Sequence, residues 1–115
     1  MRPDPSLKTV LAYKLIRVRN RDQTLGPLFI NRRQVIPIGE WLPAESHPTK
    51  NFAYRPGWHA SHAPDAPHLS TKGRAWYLVE IADFKELRRP ETQGGLWYIA
   101  QWLRVISPFP RAGLQ

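Results

Sequence analysis

Hydrophobic and polar residues alternate across residues 8–19, where Thr9-Val10-Leu11-Ala12-Tyr13-Lys14-Leu15-Ile16-Arg17-Val18-Arg19 is rich in β-branched and aromatic types. That pattern predicts a strand. A period of two puts Val10, Ala12, Ile16 and Val18 on a core face, and Tyr13, Leu15, Arg17 and Arg19 on the other, which ends in a pair of guanidiniums. The turn Asn20-Arg21-Asp22-Gln23-Thr24 leads to a short strand at 25–30, broken by Gly26-Pro27 and paired with the first as an antiparallel hairpin. Residues 35–42 are extended and apolar, but Pro37 cannot donate to a ladder, so an edge or bulged strand is expected there.

Residues 74–81 are apolar on both faces except at Glu80, the composition of a central strand. A carboxylate in that position calls for a partner, and the surplus of arginine makes an ion pair its expected fate. Asp83 as N-cap, Glu86 in capping-box register and Pro90 as the stop predict a short helix over 83–89. Thr92-Gln93-Gly94-Gly95 then turns into a last long strand, 96–106.

Between these segments, residues 43–73 hold five of the twelve prolines and all four histidines, His47, His59, His62 and His68, with neither periodicity. A long ordered Pro/His-rich loop is expected, with a helical turn within 63–70 capped by Asp65. The expected fold class is therefore α+β, a single small domain with a twisted, mostly antiparallel sheet and one or two short helices. Its 115 residues divide into a flexible leader (1–7), one globular domain (8–107) and a flexible tail (108–115).

Composition narrows the function classes. The chain has no cysteine, which removes disulfides, thiolate metal sites and a cysteine nucleophile. No apolar run approaches a membrane span of roughly 18 residues, and no signal-peptide core follows Met1-Arg2-Pro3-Asp4-Pro5, so the expected location is cytoplasmic. Lys and Arg number 17 against 9 Asp and Glu, a net charge of +8, and twelve of the 17 are Arg. Guanidiniums in that excess suit bidentate contact with phosphate or carboxylate, which points to nucleotides, nucleic acid or acidic protein surfaces.

The densest chemistry is Tyr54-Arg55-Pro56-Gly57-Trp58-His59-Ala60-Ser61. There Arg55 can pair a phosphate, Tyr54 or Trp58 can stack a base, and His59 can move a proton. The plainer alternative makes the aromatics core anchors and Pro56-Gly57 a type II turn. The candidate ligand-binding residues are Arg17, Tyr54, Arg55, Trp58, His59, Ser61, His68 and Ser70. His59-x-x-His62, with Asp65 and His68, offers donors that zinc accepts, but in no known metal framework. No catalytic residue, metal or cofactor is assigned.

The order of Tyr13-Lys14-Leu15-Ile16-Arg17, Ile36-Pro37-Ile38-Gly39-Glu40-Trp41-Leu42, Pro56-Gly57-Trp58-His59-Ala60-Ser61 and Gly73-Arg74-Ala75-Trp76-Tyr77-Leu78-Val79-Glu80-Ile81 resembles small uncharacterised bacteriophage-encoded proteins. More distantly it is similar to the ADP-ribosyltransferase-like fold. That second resemblance implies a split sheet, Arg17 or His59 near a pyrophosphate or ribose, and Ser61 or Ser70 at a small-polar position. The chain departs from it at Glu91-Thr92-Gln93-Gly94-Gly95, where Gly95 stands in place of the catalytic Glu.

The expected function is a noncatalytic, phage-encoded binding module for a phosphate-bearing ligand, nucleotide or nucleic acid, acting in the host bacterial cell. The alternatives are an ADP-ribosyl-transferring or NAD-cleaving enzyme, and a protein-interaction module with a host or phage partner, such as a host-defence inhibitor or virion accessory factor.

Overall fold

The computed structural model describes residues 2–19, 24–26, 35–44 and 57–109. The first alternating run forms β1 (Thr9–Val18), and β2 (Leu25–Gly26) returns antiparallel to it, with Arg17 opposite Gly26 and Val18 opposite Leu25. The rest of the strand expected at 25–30 lies outside the described residues. β3 (Trp41–Pro43) and β4 (Trp58–Ser61) are short. β5 (Arg74–Arg88) and β6 (Leu96–Pro108) are the long pair, joined across a 3-10 turn at Glu91–Gln93.

The pairings close the sheet on itself. β5 runs antiparallel to β1 from Thr9 opposite Ala82 to Arg17 opposite Arg74, and its other edge is taken by β6. β6 then pairs with β4, and β4 meets β1 at Tyr13 opposite Ser61. The order β1-β5-β6-β4 thus returns to β1 as a small barrel, which leaves none of these four strands with a wholly open edge. Of the strand expected over residues 35–42 only Trp41 and Leu42 fall in β3, which among the described residues pairs with β6 alone. Just before it, Ile36 donates to the Leu25 carbonyl and Ile38 bridges Val105, linking β2 to β6.

Strands this long close a small barrel only by bending, and the bends have identifiable causes. β5 and β6 slip register between Leu78 and Val79. Further along, Ile81, opposite Leu103, is in the buried cluster and Phe84, opposite Ala100, packs against it, although the two pairs are three positions apart. Pleating alone would put them on opposite faces; Asp83, at φ 52° and the one non-glycine residue with positive φ among those described, resets the phase. Inside the barrel, Ala12, Ile16, Leu25, Ile36, Trp58, Ala60, Tyr77, Val79, Ile81, Ala100, Leu103 and Val105 form one buried cluster.

The expected α+β class is corrected here: the molecule is mostly strand, and the 3-10 turn is the only helical element among the described residues. The helix expected over 83–89 is the far half of β5. Its capping-box residues sit on a strand that pairs with β6 from Phe84 opposite Ala100 to Arg88 opposite Leu96, so long-range pairing overrides a local signal. Residues 63–70 make single turns, Asp65 donating to the Ala63 carbonyl and Leu69 to the Ala66 carbonyl, and no helix. The six strands share one sheet, so the split expected from the ADP-ribosyltransferase-like resemblance is absent among the described residues. No helix of the described residues is long and apolar enough to cross a membrane.

Candidate functional site

Arg17 ends the outer face of β1 and Arg19 follows just past the strand, while Arg74 opens β5 directly across from Arg17. The turn before Arg74 brings in a fourth cation. Arg74 donates to the Thr71 carbonyl, and Gly73 at φ 69° occupies the third position, a type II turn that favours glycine there. The turn is stitched to β1 by the bond from the Val18 amide to the Gly73 carbonyl, 2.9 Å. Ser70 adds to it, its hydroxyl accepting from the Lys72 amide at 3.2 Å and its carbonyl accepting from Arg74 Nη1 at 2.9 Å.

Arg19 is fixed from the other side. Its Nη1 donates to the Leu25 carbonyl at 2.8 Å and to Thr24 Oγ1 at 3.3 Å. The guanidinium lies so close over Gly26 that a Cβ there would come within 2.4 Å of Nη2. These elements enclose an open groove of about 390 Å³ lined by Arg17, Val18, Arg19, Lys72, Gly73 and Arg74. Four of its six described lining residues are cationic. Cations gathered in one concavity focus a positive potential that attracts phosphate.

The residues singled out in the sequence do not all meet. Arg17 lines the groove and Ser70 builds its rim through the turn. Trp58 is in the core, its Nε1 donating to the Leu42 carbonyl at 3.2 Å, and Ser61 is fully buried, its hydroxyl accepting from the Ala63 amide. Trp58 thus takes the core-anchor role. His59 is half-buried on β4, and its carbonyl accepts a 2.7 Å bond from Lys14 Nζ. His68 is exposed, edge-on to Trp97 at 6.1 Å. Tyr54, Arg55 and His47 lie outside the described residues. Among the described residues no three His, Asp or Glu converge as a metal would require.

Lys72, Arg74 and Arg19 line this groove but are not among the candidate residues read from the sequence, although their signals are readable. Arg17 and Arg19 are two apart, and Lys72-Gly73-Arg74 puts a glycine turn immediately before an apolar run. Glu80 finds its ion-pair partner in Arg104, across β5 and β6, and Arg104 lies over the Trp41 ring at 5.1 Å.

Compared with protein-family models, curated proteins and solved structures, the chain matches none. Nothing in them identifies a bacteriophage family or an ADP-ribosyltransferase-like relationship.

Proposed function

We propose that this protein is a noncatalytic binding module for a phosphate-bearing ligand, a nucleotide or nucleic acid, held in the groove between the end of β1 and the start of β5. The observation that carries the reading is the convergence of Arg17, Arg19, Lys72 and Arg74 on one concavity. Arginine provides planar, bidentate donors to phosphate oxygens, and the chain's net charge of +8 favours approach of a polyanion. The hydrogen bonds of Arg19 and Arg74 to backbone carbonyls hold the guanidiniums in place before a ligand arrives, which lowers the ordering cost of binding.

A thermal-shift series tests the reading, since a ligand that binds only the folded state raises its melting temperature. Mononucleotides, dinucleotides and short oligonucleotides are compared on the wild type and on an Arg17→Ala/Arg74→Ala variant. A ligand at 100 times its Kd stabilises by about 2.7 kcal/mol, a shift of several degrees in the wild type that the double variant loses. A flat response of the wild type across the panel contradicts the reading.

A further inference from the structure

The groove opens onto a sheet face whose side chains change from cationic to aromatic. On the outer face of the β1–β5 pair, the rows are Arg17 opposite Arg74, then Leu15 opposite Trp76, then Tyr13 opposite Leu78. Successive rows on one face stand about 6.8 Å apart, so these three span about 14 Å. Phe109 follows β6 and sits on this face, its amide donating to the Trp76 carbonyl at 2.8 Å and its ring edge-on to Tyr13 at 5.0 Å. Phe109 keeps 40% of its surface exposed, Trp76 and Tyr13 are half-buried, and Leu15 opposite Trp76 is buried, so the aromatic edges rather than the whole face are open.

We infer that the ligand of this groove is a single-stranded nucleic acid, whose phosphates run through the cation row while its bases lie on Phe109, Trp76 and Tyr13. The inference rests on the phosphate-groove reading and adds to it the class of ligand. Single strands expose base faces that a duplex keeps stacked inside, and a basic groove leading to aromatic side chains is the combination that takes them up. A mononucleotide would use the cations but only one stacking position. A duplex would use the cations and leave the aromatic rows without bases.

The test is fluorescence anisotropy with a labelled single-stranded oligonucleotide and with a duplex of equal length, on the wild type, Phe109→Ala, Phe109→Leu and Arg17→Ala. Phe109→Leu keeps apolar bulk against Tyr13 while removing the ring, so its fold is retained if the alanine variant's is not. The single strand binds the wild type more tightly than the duplex, and each Phe109 variant weakens that binding by about 5- to 100-fold with an unchanged salt dependence. Arg17→Ala instead lowers the salt dependence. Equal affinity for both nucleic acids, unaffected by Phe109→Leu, overturns the single-strand inference and leaves the phosphate groove standing. Binding of neither, nor of inorganic polyphosphate, overturns both.

Discussion

Lys14 projects from the core face of β1, between Ala12 and Ile16, where the apolar pattern leaves a gap. Its Nζ is held by the His59 carbonyl at 2.7 Å and lies 5.8 Å from the centroid of the Trp58 ring. Burial pulls its pKa from 10.5 down to about 8. Between those values the unfolded chain binds a proton that the folded chain has released, so stability rises with pH through that window. Thermal melts of the wild type and Lys14→Met from pH 7 to 10.5 check this: the wild type gains stability relative to the variant, and parallel profiles contradict it. The sequence shows Lys14 on the apolar face, but a lysine at that point of an alternating run reads equally well as a strand edge facing water. The ring of strands around it is what half-buries it.

At the scale of elements, β5 carries the heaviest demand, because one strand must pair with both β1 and β6 and still bend. Asp83 supplies the change of phase with its left-handed backbone, φ 52°. Asp83→Gly is accommodated at that position, whereas Asp83→Val costs about 1–2 kcal/mol, since a β-branched side chain meets the backbone there. Denaturant melts of the two variants separate the outcomes, and equal stability would show that Asp83 is not where the strand turns. The same residue explains why a helix was expected. Asp83, Glu86 and Pro90 satisfy every local rule for a helix start and stop, and only the register of Phe84–Arg88 with Leu96–Ala100 reveals a strand. By contrast β1, the first half of β5 and β6 were legible, because their β-branched and aromatic content agrees with their pairing.

For the whole molecule, closure of the sheet decides what can be a site. It takes Trp58 and Ser61 into buried positions and carries Arg17, Arg74 and Lys72 to one end, although they come from segments more than fifty residues apart. The candidate site was therefore legible only in part. Arg17 and Ser70 could be read from the strand end and the turn, whereas the concavity exists only once β5 pairs with β1. The central claim, that this concavity binds phosphate, is tested most directly by measuring the affinity of a labelled single-stranded oligonucleotide from about 50 to 200 mM salt for the wild type, Arg17→Ala and Arg74→Ala. With four cations engaged, log Kobs falls against log salt with a slope of about −3, and each variant reduces its magnitude by about 0.7. Salt-insensitive binding, or variants that keep the wild-type slope, would contradict the account.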